Sequence, residues 1–254
     1  MRIGGRSISK ITSALRYSEV YRAAVNMLRY SPDGARLLGM YATGRGEYPR
    51  QVKLRTPLGV VAPTLYSPVD LLTVNEVFFR LDYRSGTDLR VVVDVGSNIG
   101  LSALYFLTRS PFVRCHLIEP VPMNIERLHL NLAGYADRWM LYACALDAVS
   151  GQVEFGTAST GRYGGIGKSA GDVITVPCLG VNELLQQVLD AEGFIDVLKI
   201  DPEGAEFRTL GAIDPYFLPR IGRIHAEIGD EHIYPQLDGF RHQNFRTIRT
   251  FTRV

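Results

Sequence analysis

The hydrophobic pattern of the chain changes near residue 90. Beyond that point, short apolar runs rich in β-branched residues alternate with stretches that have helical periodicity. Apolar strands separated by helices are typical of a parallel sheet that is covered on both faces. The pattern therefore predicts an α/β domain with strands at VVVDV, VRCHLIEP, WMLYACAL, VITVPCL, FIDVLKID and IGRIHAEI.

The first part of the chain has a different pattern, in which one amphipathic helix precedes short β segments. Apolar residues at near-helical spacing predict a helix over residues 7–30. SPDG at residues 31–34 predicts a turn, and prolines then separate β segments such as QVKLRT and GVVAPTLY. We therefore predict an N-terminal extension over residues 1–63, forming a cap or lid, and a second domain over residues 64–254.

Composition indicates a globular protein with an uneven charge distribution. Hydrophobic residues make up 46% of the chain and charged residues 21%, which allows a substantial core. Residues 1–55 contain 11 Lys and Arg against 3 Asp and Glu, a net +8, which leaves −6 for the remainder. A basic arm can contact anionic lipid or nucleic acid, but a solvated helix face is the commoner explanation. The apolar runs are too short for a membrane span. The spacing of the three cysteines indicates neither a disulfide framework nor a zinc site, so we expect a cytoplasmic setting.

The turn after the strand VVVDV has the residues of a cofactor site. In the pattern D-x-G-x-N-x-G, Asp94 ends the strand, and Gly96 and Gly100 let the backbone approach a ligand closely. A dinucleotide fingerprint would need glycines where this chain has Asn98 and Leu101. An acidic acceptor suits a ligand with a cationic amino group and a sulfonium better than one with a diphosphate.

Acidic and small residues end the strands that follow. Glu119 lies 19 residues after Gly100, and an acid near this spacing is placed to accept both hydroxyls of a cofactor ribose. Ala145 and Leu146 leave room for a flat ring at the end of the third strand. Asp201 directly ends the apolar strand FIDVLKID, at the sheet edge where ligands of parallel sheets bind.

Taken together, DVGSNIG, LIEP, ALDxxSG and LKIDPEGAE resemble the FkbM-type family of class I S-adenosylmethionine (SAM)-dependent methyltransferases in their order and spacing. The resemblance covers roughly residues 64–229 and implies a Rossmann-like α/β fold. Its mostly parallel sheet would have seven strands, with helices on both faces. VNEVFFRLDYR resembles the family's lead-in, which implies that Glu76 and Tyr83 approach the cofactor. Pro202 and Cys144 depart from the family's usual residues.

The resemblance implies that a methyl group passes from SAM to a hydroxyl and leaves S-adenosylhomocysteine. The expected acceptor is a small molecule or glycolipid hydroxyl, on a sugar of a glycosylated natural product, glycolipid or polysaccharide. The residues expected to bind the cofactor lie at the strand ends and in the lead-in; they are Glu76, Asp94, Gly96, Ser97, Asn98, Gly100, Glu119, Pro120, Ala145, Leu146 and Asp201.

Transfer to a neutral hydroxyl is aided by a base that removes its proton. We expect this base among His232, Asp201 and Glu227. His232 is placed first, because it falls in the loop beyond the fifth strand and an imidazole titrates near neutrality. A divalent cation bridging Asp201 and Glu227 is a conceivable alternative, because hard cations prefer oxygen ligands. We expect no metal site, since no compact ligand cluster marks one.

The insert FGTASTGRYGGIGKSAGD, residues 155–172, contains six glycines. A loop of this length in a compact domain is often a lid or a binding loop, and a mobile solvent loop is the alternative. Arg162, Tyr163 and Lys168 are candidates to bind a polar or anionic acceptor.

Two other functions stay open. A nucleic-acid methyltransferase is favoured by the basic arm and by RHQNFRTIRTFTRV at the end of the chain. Enzymes that methylate exocyclic base amines typically have a [DN]-P-P-[FYW] element after the fourth strand, whose aromatic stacks the flipped base. Here Asp201 and Pro202 are followed by Glu203 and Gly204, so we expect no nucleic-acid partner. The other alternative is a non-catalytic module that binds SAM or another nucleotide. An oligomer, and peripheral membrane contact through the basic N-terminal helix, are compatible with the sequence.

Overall fold

The computed structural model describes residues 2–3, 6–7, 18–157, 165–167, 172–202, 204–228, 237–245 and 247–254. The chain divides into two compact units, Met1–Ser85 and Gly86–Val254. The first unit therefore continues beyond residue 63, and the division predicted there stays a prediction.

Over its described residues, the first unit combines three α-helices and a π-helix with short antiparallel strand pairs. The elements in chain order are β1 Arg2–Ile3, β2 Arg6–Ser7, α1 Ser18–Tyr30, α2 Gly34–Thr43, β3 Arg50–Gln51, β4 Leu54–Thr56, β5 Gly59–Val61, β6 Thr64–Leu65, α3 Pro68–Val74 and the π-helix Asn75–Arg80. Strand β1 pairs with β2, β3 with β6, and β4 with β5. The helix predicted over residues 7–30 is present over Ser18–Tyr30. Its predicted start was wrong at Ser7, which pairs with Arg2 in β2, and residues 8–17 lie outside the described part.

Helix α3 begins where the sequence supplies a complete N-terminal cap. The hydroxyl of Ser67 accepts a hydrogen bond from the backbone N–H of Asp70 at 3.3 Å. The Asp70 carboxylate accepts in return from the backbone N–H of Ser67 at 2.9 Å. This reciprocal arrangement satisfies two N–H groups that a helix start leaves without partners, and Pro68 fits the first turn because it has no N–H to satisfy.

The second unit contains a seven-stranded sheet and a smaller four-stranded sheet. Its elements are β7 Val91–Val95, α4 Leu101–Leu107, β8 Arg114–Ile118, α5 Pro122–Asn131, β9 Trp139–Tyr142, β10 Ala145–Asp147, β11 Gly151–Thr157, β12 Gly165–Ile166, β13 Asp172–Gly180, α6 Val181–Glu192, β14 Val197–Ile200, α7 Glu206–Gly211, β15 Arg223–Glu227, β16 Phe240–Phe245 and β17 Ile248–Arg253.

The large sheet has the strand order β16-β17-β15-β14-β7-β8-β9. Strands β15, β14, β7, β8 and β9 are parallel neighbours, and β17 is antiparallel to both β15 and β16. Only β17 thus runs against the other six. This confirms the predicted fold class, a mostly parallel seven-stranded α/β sheet of Rossmann-like type.

Alternating residues of β7 show that helices cover both faces of this sheet. Val93 and Val95 pack in a buried cluster with Leu184 and other apolar residues of α6. The next residue along the strand, Asp94, points to the opposite face and accepts a hydrogen bond from Ser102 of α4. Both faces are therefore excluded from water, which explains why VVVDV is apolar except for this one acid.

The strand predicted at VITVPCL and the second half of the one predicted at WMLYACAL lie outside the large sheet. The run WMLYACAL is not one strand, because β9 ends at Tyr142 and β10 pairs instead with β13. The run VITVPCL forms part of β13, which lies in the four-stranded sheet of order β10-β13-β11-β12. In β13, buried Val176 and Cys178 alternate with exposed Thr175 and Pro177. This alternation is typical of a strand with one face in water rather than of a strand buried on both faces.

The stretch RHQNFRTIRTFTRV, considered above as a basic nucleic-acid contact, lies mostly in β16 and β17 and so completes the large sheet. Parts of the glycine-rich insert, with Arg162, Tyr163 and Lys168, lie outside the described residues, so their substrate role stays a prediction. Among the helices of the described ranges, none is both long and apolar enough to cross a membrane.

Candidate functional site

The turn after β7 is held between the ends of its two neighbouring strands. Gly96 has a φ of +74°, and a Cβ added there would lie 2.0 Å from the carbonyl oxygen of Asp201. The backbone N–H groups of Gly96 and Ser97 both donate to the carbonyl of Ile118 at 3.0 Å. Position 96 must therefore be glycine, both for its left-handed backbone and for its close approach to the end of β14.

The rest of the turn also uses left-handed backbone. Asn98 has a φ of +48° and Gly100 a φ of +85°. Asparagine tolerates this region, and its side-chain oxygen accepts a hydrogen bond from the N–H of Ile99 at 2.7 Å. A Cβ on Gly100 would come within 3.1 Å of Leu132. The pattern D-x-G-x-N-x-G thus encodes the backbone conformation of the turn.

Glu119 follows β8 and binds this turn directly. Its carboxylate accepts hydrogen bonds from the backbone N–H of Asn98 at 2.8 Å and of Val121 at 3.0 Å. A third comes from the side-chain amide of Asn124 at 3.1 Å. Burial raises the pKa of Glu119, although these three donors and the charge of Lys199 act in the opposite direction. A carboxylate has about four acceptor positions, so this one can accept further hydrogen bonds from a ligand.

Lys199, in β14, lies among four oxygen atoms at the same strand ends. Its ammonium group is 3.0 Å from the Asp94 carboxylate and 3.4 Å from that of Asp201. It also donates to the carbonyls of Val95 at 3.0 Å and Gly96 at 3.2 Å. Burial alone would lower the pKa of Lys199, but the two carboxylates outweigh it and raise that pKa above its usual value. The lysine is therefore a buried cation that holds the turn and both acids.

Asp94 is held by protein groups at the end of β7. Its side chain is 0% exposed and binds the hydroxyl of Ser102 at 2.5 Å as well as Lys199. The hydroxyl of Ser97 donates to the Asp94 backbone carbonyl at 2.6 Å. These contacts tie Asp94 to protein groups, and its predicted contact with a cofactor amino group stays a prediction.

Sequence reasoning noticed the charge of Lys199 but did not place the residue in the site. The signal was available in FIDVLKID, where a cation interrupts an apolar strand just before the terminal acid. A buried charge of this kind needs a partner of opposite sign. The partner could not be identified from the sequence, because it depends on the register that places Lys199 beside Asp94 in β7.

Ala145 and Leu146 are both buried, at 3% and 1% exposure. They lie in β10, beside Cys178 and Leu179 of β13. Asp147, which ends β10, forms an ion pair with Arg208 at 2.7 Å. The predicted contact of Ala145 and Leu146 with a flat ring stays a prediction. The predicted contact of Pro120, which is half-buried, with the cofactor also stays a prediction.

Two of the candidate bases lie at adjacent strand ends. Ile200 pairs with Ala226, which places Asp201 beside Glu227 at the carboxyl ends of β14 and β15. The Asp201 side chain is 22% exposed. Glu227 accepts a hydrogen bond from the hydroxyl of Thr247 at 2.9 Å.

The remaining predicted residues are not tested by these contacts. His232 lies outside the described residues, so its role stays a prediction. Glu76 belongs to the first unit, where its carboxylate is 3.8 Å from Arg80, and its approach to the cofactor also stays a prediction. In the described ranges, no group of three or more His, Cys, Asp or Glu residues is arranged to hold a metal ion.

His225 is a buried polar residue that the strand ends do not use. Its ring lies in β15, in register with Lys199 of β14 on one side and Thr250 of β17 on the other. The ring Nδ1 is 2.9 Å from the Thr250 hydroxyl. Burial, and then the charges of Arg223 and Lys199, lower the pKa of His225 to about 3. The imidazole is therefore neutral at physiological pH.

Cofactor-binding α/β domains of the Rossmann-like class have a glycine turn after the first strand and an acid at the end of the second. In this chain these features are the turn at Gly96 and the carboxylate of Glu119. Residues 94–251 match the model of the family described as the Methyltransferase FkbM domain. The chain therefore belongs to the FkbM methyltransferase family. Its second unit contains a SAM-dependent methyltransferase domain.

The sequence identities between this chain and individual relatives are low. The chain is 27% identical over 211 residues to the 31-O-demethyl-FK506 methyltransferase FkbM of Streptomyces tacrolimicus, covering 70% of this chain and 81% of that protein. It is 28% identical over 197 residues to the AMB antimetabolite synthetase AmbE of Pseudomonas aeruginosa, covering 62% of this chain but only 9% of AmbE. Among solved structures, a methyltransferase from Geobacter sulfurreducens aligns with a TM-score of 0.39 at 15% identity, over 66% of this chain and 72% of that one.

Proposed function

We propose that the protein is a SAM-dependent O-methyltransferase. Its acceptor is a hydroxyl on a sugar of a glycosylated natural product, a glycolipid or a polysaccharide. The observation that supports the cofactor site is the buried Glu119 carboxylate, held against the turn after β7 by the N–H of Asn98. This arrangement fixes an acceptor for the ribose hydroxyls at the edge of the sheet where parallel folds bind their ligands.

The charges at the strand ends fit SAM better than a dinucleotide. The carboxylates of Asp94 and Asp201 both contact the single ammonium group of Lys199. Glu119 adds a third acidic group next to the turn, so acids outnumber the one cation. Such an acidic edge attracts a ligand with a sulfonium and an amino group and repels a diphosphate. The close approach of Gly96 to Asp201 also leaves no side chain between the turn and β14.

When bound, SAM supplies an electrophilic methyl group on its sulfonium. The protein has to align the acceptor hydroxyl with that methyl and to remove the hydroxyl proton. Asp201 and Glu227 can accept a proton at the ends of β14 and β15, and His232 stays a candidate from the sequence. Lys199 acts through Asp201, because its ammonium fixes that carboxylate from the protein side.

Transfer to oxygen is supported by two further observations. The FkbM relative is, by its name, a methyltransferase of 31-O-demethyl-FK506, which is an O-demethyl compound. The residues after Asp201 include Pro202 and Gly204, and lack the aromatic that stacks a flipped base. The proposal therefore favours a hydroxyl acceptor over a nucleic-acid base.

The test combines cofactor binding with product analysis. We expect the wild-type chain to bind SAM and S-adenosylhomocysteine in calorimetric titrations. Glu119→Ala should weaken SAM binding by about 10- to 100-fold, because hydrogen bonds to a charged group contribute roughly 1.5–3 kcal/mol. Glu126→Ala is the matched control, since Glu126 is an exposed acid on α5, and should bind SAM like the wild type. Equal affinity of the two variants would contradict the site.

The acceptor is tested by mass spectrometry on panels of glycosides, glycolipids, the corresponding aglycones and RNA. A methyl group gained by glycosides or glycolipids, but not by the aglycones or RNA, supports the proposal. Tight SAM binding without transfer to any acceptor would favour a non-catalytic module, and methylated RNA would favour the nucleic-acid alternative.

The base is tested with His232→Ala and Asp201→Asn. We expect His232→Ala to retain SAM affinity and to lower the transfer rate, by roughly 100-fold if this residue is the general base. Unchanged turnover would exclude His232 and leave Asp201 and Glu227. A fall in the rate of Asp201→Asn that disappears at high pH would identify Asp201 as a proton acceptor.

A further inference from the structure

Helix α1 in the first unit has two apolar faces. One face contains Ala23 and Met27, which are 6% and 1% exposed and therefore belong to the core. The opposite face contains Tyr21, Val25 and Leu28, which are 55%, 60% and 52% exposed. These three residues are spaced by four and three positions, so they form one continuous line along the helix, here called the outer stripe.

Folding explains only the inner face. A surface helix of a globular protein needs one apolar stripe toward the core and a polar face toward water. The side-chain amide of Asn26 donates to the carbonyl of Phe79 in the π-helix at 2.6 Å, which fixes how α1 is rotated about its axis. The outer stripe therefore cannot turn inward, and three large apolar side chains face solvent together.

Cationic side chains border the outer stripe. Arg22 and Arg29 each follow a stripe residue directly, so they lie along one margin of it. The guanidinium of Arg55 in β4 donates to the backbone carbonyl of Arg29 at 2.9 Å, which places a third cation at the end of α1. Val60 is the cross-strand partner of Arg55 and is 61% exposed, so another apolar side chain lies beside this cation.

The charge of the whole unit has the same sign as this border. Residues 1–85 contain 13 Lys and Arg against 6 Asp and Glu, a net charge of +7, while residues 86–254 contain 15 against 20, a net charge of −5. A second copy that docked symmetrically through the same face would bring two cationic borders together, which is unfavourable. The apolar outer stripe and its cationic border both fit a partner surface that is apolar in its interior and anionic at its boundary.

We propose that the outer stripe, Val60 and the bordering arginines dock on the surface of an anionic lipid bilayer. The apolar side chains enter the boundary between head groups and acyl chains, while the guanidinium groups bind lipid phosphates. Helix α1 then lies in the plane of the interface. Docking needs no methyl transfer, so it stands independently of the acceptor proposed above.

The test is flotation of the full chain with two kinds of vesicle, one of phosphatidylcholine alone and one of equal parts phosphatidylcholine and phosphatidylglycerol. We expect binding to the anionic vesicles, weaker binding to the neutral ones, and a decline with added salt. Leu28→Glu should lower the partition coefficient about tenfold or more, because it replaces an apolar side chain that enters the bilayer by an anionic one. Val25→Glu should act in the same way.

Leu130→Glu is the matched control. Leu130 lies in the last turn of helix α5, as Leu28 does in α1, and is 69% exposed. It should bind vesicles like the wild type. Absence of flotation with anionic vesicles, or equal losses in the two leucine variants, would overturn the proposal. So would light scattering that shows a wild-type dimer converted to a monomer by Leu28→Glu, because the stripe would then pack against a second copy.

Discussion

Lys199→Met is the most direct probe of how the strand ends are held together. Methionine keeps the length and much of the volume of the lysine side chain but removes its ammonium group. Asp94, which is 0% exposed, would retain the hydroxyl of Ser102 but lose the cation 3.0 Å away. The carbonyls of Val95 and Gly96 would lose a charged donor at the same time.

The size of the effect follows from the burial of the pair. Removing one partner of a buried ion pair costs about 3–5 kcal/mol, because the other charge stays buried without compensation. We expect Lys199→Met to lower the free energy of unfolding by about this amount. Adding Asp94→Asn should recover part of the loss, since an amide is neutral and its oxygen can still accept from Ser102.

The pH dependence gives a second check of sign. The pKa of Lys199 is raised in the folded protein, so its contribution is complete below the ordinary lysine value of 10.5 and is lost only as pH rises through the higher folded value. The difference between wild type and Lys199→Met should therefore be constant from about pH 6 to about pH 9.

The assay is urea unfolding followed by circular dichroism. Lys53→Met is the matched control, because Lys53 is exposed, and it should change the free energy of unfolding by no more than about 0.5 kcal/mol. The reasoning is refuted if Lys199→Met costs no more than this control. It is also refuted if Asp94→Asn destabilises the Lys199→Met variant further, since the buried acid would then not be the source of the cost.

Two further substitutions test single features of the site. Gly96→Ala should lower the thermal midpoint strongly, because its Cβ would lie 2.0 Å from the Asp201 carbonyl in a left-handed backbone. Gly151→Ala, where a Cβ meets nothing within 4 Å, should leave the midpoint nearly unchanged, and equal midpoints would contradict the argument. His225→Asn should reduce the fall in the free energy of unfolding that the wild type shows at acidic pH. The folded pKa of His225 is lowered to about 3, so the wild type loses stability as pH falls below the ordinary histidine value of 6.5. The loss attributable to this group is about 1.4 kcal/mol per pH unit, and urea unfolding of exposed His129→Asn should follow the wild type.

Much of the cofactor edge could be predicted because its signals are local. An apolar run that stops at an acid and a glycine turn is decided by neighbouring residues, and the structure has β7 at Val91–Val95 with the turn directly after it. The acid Glu119 was found from its spacing alone, and it contacts that turn through Asn98. Local sequence also encodes the start of helix α3, through Ser67 and Asp70.

Other features could not be found in the same way. The runs WMLYACAL and VITVPCL are apolar enough for the large sheet, yet β10 and β13 pair with each other in the smaller sheet. An apolar run predicts that a strand forms but does not identify its partner. Strand pairing depends on hydrogen bonds between segments far apart in the chain, and only the folded chain brings these together.

The sequence by itself determined the alternation of strands and helices, the acids at the strand ends and the left-handed turn at Gly96, because each follows from residue type and short spacing. The tertiary structure decided that Lys199 lies between Asp94 and Asp201, and that helix α1 leaves Leu28 in solvent. Both depend on contacts between distant segments. A buried charge is tolerated only where the fold supplies its partner, and an apolar face is a core face only where the fold covers it.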